Sequence, residues 1–290
     1  MAATEPFSYW PAPAKLNLFL RVTGRRADGY HQLATLFQLL DFGDIIGLRM
    51  RKDRQIRRVA GNPQVPVDQD LTLRAASALA AASGCDRGVD IEVRKTIPLG
   101  GGLGGGSSDA ATVLVALDHL WGTRLGLDRL AEIGLRLGAD VPVFVRGRSA
   151  FATGIGEELT PMTIGQRSYL LLDPQVAVST AAVFAAPDLT RDAPPETIAG
   201  WLANGTTVND LEPVVRRRYP PIDAAMLWLA RYGAPQLSGS GGCVFAKVDD
   251  PTLASDAVGQ CPLPWRAWWV RGLDMSPLHR QLDAIVTGAA

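Results

Sequence analysis

Apolar and polar positions along the first half of the chain predict a mixture of strands and helices. Strands are predicted where apolar residues alternate or cluster, at residues 14–23, 45–50 and 89–93. Helical spacing of apolar residues predicts helices at residues 71–83, 110–121 and 127–137. The last of these has Asp128 in its first turn and Gly138 as its expected C′ residue. The mixture indicates an α+β fold.

The second half of the chain continues the same mixture. Further strands are predicted at residues 149–153, 168–172 and 244–248, and helical surroundings at Trp201 and residues 226–231. The proline-rich residues 187–195 are expected to form a loop. With 290 residues, 47% of them hydrophobic, the chain is long enough for two domains. We place the boundary near residue 162, which gives domains at residues 1–162 and 163–290.

A glycine-rich segment at residues 98–111 lies between a predicted strand and a predicted helix. It runs Pro-Leu-Gly-Gly-Gly-Leu-Gly-Gly-Gly-Ser-Ser-Asp-Ala-Ala. Its glycines leave backbone N–H groups unshielded by Cβ atoms, and the following helix adds unsatisfied amides and the positive end of its dipole. The segment therefore predicts a polyphosphate ligand. A flexible surface loop is the alternative, but paired serines and an apolar helix are not expected after a simple linker.

Two other nucleotide-binding loops fit this segment poorly. A Walker loop ends in Gly-Lys-Ser/Thr, whereas Gly106 is followed directly by Ser107. Gly100, Gly102 and Gly105 match the dinucleotide pattern G-x-G-x-x-G. That fold, however, needs an acidic residue about 20 residues further on, at the end of the next strand. Helical stretches follow instead, so a nicotinamide-dependent enzyme is disfavoured.

Charge and cysteine content narrow the class of protein. Basic and acidic residues balance at 29 each, which removes a general electrostatic case for nucleic acid or membrane binding and favours a small-molecule partner. No obligate protein partner is evident. Cys85, Cys243 and Cys261 form no C-x-x-C pair and are expected to be reduced thiols. The N-terminal residues lack signal-peptide features and no stretch approaches 18 apolar residues, so we expect a cytoplasmic protein.

Three further places carry candidate chemistry, each with a structural alternative. On the first predicted strand, period-two alternation puts Lys15 and Asn17 on one face, which is either a polar pocket or a solvated surface. Tyr30 and His31 follow a turn and are either packed or functional. Asp140 either caps the next element at its N-terminus or accepts a hydroxyl proton, with a lysine beside it to offset charge.

A second glycine-rich turn, Leu-Ser-Gly-Ser-Gly-Gly-Cys, occupies residues 237–243. It is either a tight turn into the strand at residues 244–248 or a second wall of one nucleotide cleft. The sequence alone brings none of these segments together in space.

Taken together, these segments resemble the three motifs of the GHMP kinases, which include galactokinase and the homoserine, mevalonate and phosphomevalonate kinases. The motifs are residues 98–111, Gly-Ala-Asp-Val-Pro around Asp140, and residues 237–242. Pro-Ala-Lys-Leu-Asn-Leu at residues 13–18 and Arg-Ala-Asp-Gly-Tyr-His at residues 26–31 resemble the members that act on 4-diphosphocytidyl-2-C-methyl-D-erythritol. The resemblance covers nearly the whole chain.

This resemblance implies a two-domain GHMP kinase fold, with a ribosomal-S5-domain-2-like N-terminal domain and a ferredoxin-like C-terminal domain. It also implies transfer of the γ-phosphate of ATP to the 2-hydroxyl of 4-diphosphocytidyl-2-C-methyl-D-erythritol, in the non-mevalonate route to isoprenoid precursors. By matched position, Asp140 would be the catalytic base and Lys15 its electrostatic partner. The substrate contacts implied in the same way are Asn17 and Thr180 along the phosphates, and Tyr30, His31 and Phe184 around the cytosine.

The resemblance also implies the nucleotide contacts. They are Lys95, Pro98, Leu99, Gly100, Gly101, Gly102, Leu103, Gly104, Gly105, Gly106, Ser107 and Ser108. For Lys95 the alternative is an exposed strand end. A serine of the loop, Ser107 or Ser108, is available to Mg²⁺, and no carboxylate ligand is assigned.

Two other functions remain as alternatives. A GHMP kinase for another alcohol would keep the loop and Asp140 but should lack the Tyr30–His31 pair. A catalytically silent ATP-binding sensor should have lost Lys15 or Asp140, and both are present.

Overall fold

The computed structural model describes residues 5–63 and 65–289. Its strands, in chain order, are β1 (Ser8–Arg25), β2 (His31–Arg51), β3 (Ile56–Ala60), β4 (Gly88–Arg94), β5 (Ala150–Thr153), β6 (Glu158–Pro161), β7 (Ser168–Asp173), β8 (Pro235–Leu237), β9 (Val244–Lys247) and β10 (Arg266–Leu273). Its helices are α1 (Leu71–Ser83), α2 (Gly105–Trp121), α3 (Gly126–Leu135), α4 (Val141–Arg146), α5 (Thr180–Phe184), α6 (Ile198–Asn204), α7 (Glu212–Arg218), α8 (Pro220–Leu229), α9 (Pro251–Gly259) and α10 (Pro277–Thr287). A short 3-10 turn, Val67–Gln69, precedes α1.

The first sheet is built on the long β1–β2 hairpin. β2 pairs with β1, β4 and β5 in antiparallel fashion, and β3 joins β4 in parallel. The apolar faces of α1–α4 cover this sheet, so that Leu79, Val113, Ile133 and Val143 belong to one buried cluster. The glycine-rich segment connects β4 to α2 at one end of this layer.

The second sheet runs in the order β10-β7-β9-β8, all antiparallel. Its core packs against α8 and α9 and includes Leu170, Met226 and Ala254. The last residues of β10 also pair with β2, Leu273 opposite Leu39, so the two sheets are continuous. The turn between β8 and β9 therefore approaches the β4–α2 loop from the other sheet.

Most predicted elements are present, with shifted ends. The helix at residues 71–83 has those bounds, and residues 187–195 lie outside helices and strands. The residues predicted at 14–23 and 45–50 belong to much longer strands, and α2 begins at Gly105 rather than at Ala110. Alternation along β1 and β2 is blurred because long stretches of both strands are buried on both faces.

The predicted end of α3 is wrong. The helix ends at Leu135, and Gly138 is not a left-handed C′ residue. The carbonyl of Gly134 accepts hydrogen bonds from the amides of both Leu137 and Gly138, so the chain turns towards α4 without a left-handed glycine. Residues 226–231 are likewise only partly helical, because α8 stops at Leu229.

The domain boundary predicted near residue 162 falls between β6 and β7 and stays a prediction. The prediction that the N-terminus lacks signal-peptide features rests partly on residues 1–4, which lie outside the described residues. Among the described helices, none has the length and apolarity needed to span a bilayer.

Candidate active site

Lys15 is buried at the centre of the site. Strand alternation does place it on the same face as Asn17, but that face points inwards, and each residue is only 3% exposed. Its Nζ donates to Asn17 Oδ1 at 2.6 Å and to the Gly102 carbonyl at 2.9 Å, and lies 3.4 Å from Asp140 Oδ2. The alternative of a solvated strand face is wrong, and the structure unites three segments far apart in sequence.

Asp140 occupies the N-cap position of α4 without acting as a cap. Its backbone is already helical, and its side chain makes no capping hydrogen bond. The carboxylate instead faces Lys15, with its side chain 33% exposed against 4% for the lysine. The arrangement leaves an ionisable acceptor open to a ligand and a cation fixed behind it.

A chain of hydrogen bonds orients Lys15. Asn17 Oδ1 accepts from the lysine, Asn17 Nδ2 donates to Thr35 Oγ1 at 2.8 Å, and the Thr35 hydroxyl donates to the Phe19 carbonyl. Both polar atoms of Asn17 are thus engaged in holding Lys15. The predicted contact of Asn17 with substrate phosphates stays a prediction, and Thr35 was not found from the sequence.

The glycine loop depends on backbone that other residues rarely adopt. Gly100, Gly102 and Gly104 have φ values of 67°, 73° and 73°. A Cβ on Gly102 would lie 2.0 Å from the Ser238 carbonyl oxygen, and one on Gly104 would lie 2.8 Å from the Phe144 ring. Gly104, as N-cap of α2, supplies no capping side chain, so the first amides of the helix remain available to an anion.

The second glycine turn is both a hairpin connection and part of the cleft. It joins β8 to β9, and its backbone also packs on the first loop. The Cys243 amide donates to the Gly101 carbonyl at 2.9 Å, and Ser238 Oγ donates to the Gly102 carbonyl at 3.0 Å. The two alternatives considered for this turn are therefore compatible.

A cavity of about 450 Å³ contains these groups. Its lining includes Lys15, Asn17, Asp140, Ser240 and the loop from Pro98 to Ser107. Ser108 is absent from this lining because its position on α2 turns it into the core. It is fully buried, and its Oγ has no hydrogen-bond partner within residues 5–63 and 65–289. Of the two loop serines, Ser107 is the one that faces the cavity.

Lys95 is held between two carboxylates that sequence reasoning missed. Its Nζ lies 2.5 Å from Asp44 Oδ2 and 2.9 Å from Asp109 Oδ2, so it is not an exposed strand end. Burial alone would lower the pKa of Lys95, but the charges of Asp109 and Asp44 outweigh it and raise that pKa. Burial raises the pKa of Asp109 to about 7. The one sequence feature that could have indicated this cluster is the position of Asp109 within the glycine-rich segment, at the start of α2.

A second cavity, of about 700 Å³, opens beside the first. Tyr30, His31 and Arg191 line it, and Tyr30 is 59% exposed. The ring that stacks on Phe184 is that of His31, with centroids 4.9 Å apart and planes 29° apart. The residues shared with the first cavity are Leu33, Ala139, Ile155, Thr180 and Phe184. The two cavities therefore meet next to Asp140.

Thr180 and Arg191 complete the junction. Thr180 Oγ1 lies 2.6 Å from Ser240 Oγ, which ties α5 to the second glycine turn. Arg191 Nε donates to His31 Nε2 at 3.2 Å. Partial burial, with the charges of Arg191 and Arg25, lowers the pKa of His31, which favours a neutral imidazole at neutral pH.

Known proteins resemble this chain over nearly its full length. The family models described as GHMP kinases N terminal domain and GHMP kinases C terminal match residues 70–148 and 196–266. The 4-diphosphocytidyl-2-C-methyl-D-erythritol kinase of Halorhodospira halophila is 54% identical and covers 97% of this chain and 99% of that protein. The protein of the same name from Xanthomonas euvesicatoria is 54% identical, with 98% and 96% covered.

Solved structures agree with these relatives. A crystal structure of 4-(cytidine 5'-diphospho)-2C-methyl-D-erythritol kinase superimposes with a TM-score of 0.79 at 33% identity, covering 91% of this chain and 99% of that one. Homoserine kinase from Cytophaga hutchinsonii shares the fold, with a TM-score of 0.69 at 17% identity over 95% and 97% of the two chains. The predicted GHMP kinase fold is thus confirmed. The chain belongs to the GHMP kinases, within the family of proteins named 4-diphosphocytidyl-2-C-methyl-D-erythritol kinase.

Proposed function

We propose that this protein transfers the γ-phosphate of ATP to the 2-hydroxyl of 4-diphosphocytidyl-2-C-methyl-D-erythritol. The observation that carries the proposal is the junction of the two cavities. One holds the phosphate loop with Lys15 and Asp140, and the other presents Tyr30, His31 and Phe184. A phosphate donor and an aromatic-bound acceptor can therefore meet at the exposed carboxylate of Asp140.

ATP, the phosphate donor of GHMP kinases, is proposed to lie along the glycine loop. The loop and the first residues of α2 line the cavity, and the uncapped amides of a helix N-terminus suit a triphosphate. A smaller neighbouring cavity of about 190 Å³ shares Leu71, Lys95, Leu99 and Gly106 with the main one. We place the nucleoside there, so that Lys95 borders the nucleotide.

The residues present fit a magnesium ion held mainly by the phosphates of ATP. Mg²⁺ in kinases is commonly bound through one or two protein groups, substrate phosphates and water. On the main cavity, Ser107 is the serine contributed by the glycine loop and Asp140 is the carboxylate, and the described residues contain no cluster of three or more potential metal ligands. When bound, the ion would neutralise charge on the transferred phosphoryl group.

The chain's own residues account for the chemistry at the acceptor. The 2-hydroxyl oxygen attacks the γ-phosphorus while the bond from that phosphorus to the ADP oxygen breaks. Asp140 accepts the hydroxyl proton, and its 33% exposed side chain is accessible from the cavity. Lys15 keeps the carboxylate oriented and places a buried positive charge beside the reacting oxygens.

The acceptor is proposed to be held by its cytosine. Phe184 and Tyr30 offer aromatic faces for the ring, and stacking on a base contributes about 1–3 kcal/mol. Thr180, where the two cavities meet, is placed to contact the diphosphate between the base and the methylerythritol. The alternative kinase for another alcohol has no evident use for this second, aromatic cavity, so the cytidine-bearing substrate is favoured.

An ADP-coupled assay against a panel of alcohols tests the proposal. The panel contains the diphosphocytidyl substrate, its diphosphouridyl analogue, mevalonate, homoserine and galactose. We expect saturable turnover with the cytidine compound and at most a few per cent of that kcat/KM with the others. Turnover of mevalonate or homoserine with comparable efficiency would show a kinase for another alcohol, and ATP binding without any turnover would support the silent sensor.

A further inference from the structure

Arg191 lines the 700 Å³ cavity, and its side chain donates four hydrogen bonds. Its Nε donates to His31 Nε2 at 3.2 Å. Its other nitrogens donate to backbone carbonyls, Nη2 to Phe184 at 2.9 Å and Ala186 at 2.7 Å, and Nη1 to Leu189 at 3.0 Å. The guanidinium therefore locks the proline-rich loop to the end of α5 and to the imidazole at the same time.

The hydrogen bond from Arg191 determines which ring nitrogen of His31 carries the proton. A guanidinium only donates, so a neutral imidazole that receives its bond at Nε2 must be protonated at Nδ1. Nδ1 of His31 has no hydrogen-bond partner within the described part of the chain. Because His31 lines the 700 Å³ cavity, this N–H is the ring donor available to a ligand there.

A donor that faces position 3 of the base distinguishes the two pyrimidines. Cytosine offers acceptors at N3 and O2, whereas uracil carries a hydrogen on N3. A buried donor that faces another donor loses its hydrogen bond, and sites of this type reject the mismatched ligand strongly. With the proton on Nε2 instead, Nδ1 would accept from uracil N3–H.

We infer that Arg191 is a positioning residue for base selection, which fixes His31 in the Nδ1-protonated form and so selects cytosine over uracil. This inference rests on the proposed function, since it assumes that the base of the acceptor lies with its N3 against Nδ1 of His31. It assigns Arg191 no contact with the reacting atoms. ATP binding is therefore expected to be independent of Arg191.

Three variants separate this function from simple loop tethering. Arg191→Met removes every donor, whereas Arg191→Lys keeps a cationic donor that can reach His31 but not the full set of carbonyls. Arg25→Met is the matched control, because Arg25 also places a positive charge near His31 but makes its own bond to the Gly29 carbonyl. Each variant is measured with the cytidine substrate, its uridine analogue and ATP.

The same proteins are labelled with ¹⁵N-histidine, and two-bond ¹⁵N–¹H spectra report which ring nitrogen is protonated. The chain has three histidines, so His31→Gln assigns the signals of His31. We expect the Nδ1–H form in the wild type, in Arg191→Lys and in Arg25→Met, and a shift towards the Nε2–H form in Arg191→Met. Arg191→Met should lower the cytidine-to-uridine ratio of kcat/KM about ten-fold or more, with the KM for ATP unchanged.

Several results would overturn the inference. A wild-type His31 protonated on Nε2 would contradict it without any variant, even if Arg191→Met does not fold. Equal losses with both substrates in Arg191→Met would reduce Arg191 to a tether of the loop. Wild-type turnover of neither pyrimidine substrate would show that the proposed function is wrong and remove base selection with it, while the spectra would still decide the protonation of His31.

Discussion

At the scale of single residues, the site depends on the three groups that contact the ammonium of Lys15. Its buried Nζ donates to Asn17 Oδ1 and to the Gly102 carbonyl and forms an ion pair with Asp140 Oδ2. A buried ammonium needs such partners, because an unpaired charge there would be strongly unfavourable. The same contacts hold the proposed base beside the glycine loop, so folding and the proposed chemistry use one set of contacts.

Replacing Asp140 with asparagine separates catalysis from capping. We expect Asp140→Asn to lower kcat by about 100-fold or more, the scale of a lost general base, while the KM for ATP changes little. Thermal unfolding should shift modestly, because asparagine keeps an oxygen near Lys15 but loses the charge that faces it, and no capping bond in α4 is lost. An unchanged kcat with a loss of about 1 kcal/mol in unfolding free energy would show a helix cap instead.

His31 predicts a pH dependence that belongs to the acceptor alone. Its pKa is lowered, first by burial and then by Arg191 and Arg25, so the neutral ring persists below pH 6.5. The KM for the diphosphocytidyl substrate should therefore stay constant as the pH falls to 6.5. It should rise only at lower pH, where a proton on Nε2 of His31 removes the bond from Arg191 that positions the ring. Steady-state kinetics from pH 8 to pH 5 measures this, with the KM for ATP as the internal control. A rise that begins above pH 6.5 would contradict the account.

At the scale of elements, the glycine loop is fixed at both ends. Asp44 on β2 accepts backbone bonds from Thr96 at 2.5 Å and Ile97 at 2.8 Å, and also binds Lys95. Lys95 in turn reaches Asp109 in the first turn of α2. The strand side and the helix side of the loop are thus tied to one buried ion cluster, which limits the freedom of the glycines between them.

The loop geometry makes neighbouring glycines unequal. Gly104→Val should weaken ATP binding strongly and lower the melting temperature, because φ is +73° and the Cβ would lie 2.8 Å from Phe144. Gly106→Ala is the matched variant: its Cβ would lie 3.5 Å from Leu71, and alanine stabilises a helix by up to about 1 kcal/mol over glycine. Isothermal titration with a non-hydrolysable ATP analogue and calorimetry test both. Equal behaviour of the two variants would remove the geometric argument.

At the scale of the whole molecule, the site exists because two sheets bring their glycine turns together. Cys243, the last residue of the second turn, is fully buried, and its amide donates to the Gly101 carbonyl in the first. Burial raises the pKa of its thiol, which keeps the thiol protonated and unreactive while the protein is folded.

Alkylation of Cys243 should therefore report separation of the two glycine turns. We expect a thiol reagent to modify the partly exposed Cys85 first, and Cys243 at a rate that follows global unfolding and is slowed by an ATP analogue. Mass spectrometry of timed digests measures both sites. Native-state modification of Cys243 as fast as that of Cys85 would mean that the two loops separate locally.

Sequence patterns predicted α1, α2 and α3, parts of α6 and α8, several strands and the residues that carry motifs, such as Lys15 and Asp140. They predicted no helix at α4, α5, α7, α9 or α10 and no strand at β3, β6, β8 or β10. They did not predict Asp44, Thr35 or Arg191, because single polar residues in strands or loops have no periodic or spaced signal. Arg191 bonds a histidine 160 positions earlier in the chain, and only the tertiary fold specifies that pairing. The sequence did not predict the burial of Lys15 either. Strand alternation shows which residues share a face of the strand, but not which face packs against the core.

The position of phosphorylation tests the central claim most directly. The product of ATP and the diphosphocytidyl substrate is examined by proton-coupled ³¹P NMR. Because C2 of methylerythritol carries a methyl group and no hydrogen, a phosphate on the 2-hydroxyl should give a new phosphomonoester signal without three-bond splitting by hydrogen. A doublet or triplet would place the phosphate on a secondary or primary hydroxyl, and the absence of a new phosphomonoester would contradict the proposed transfer itself.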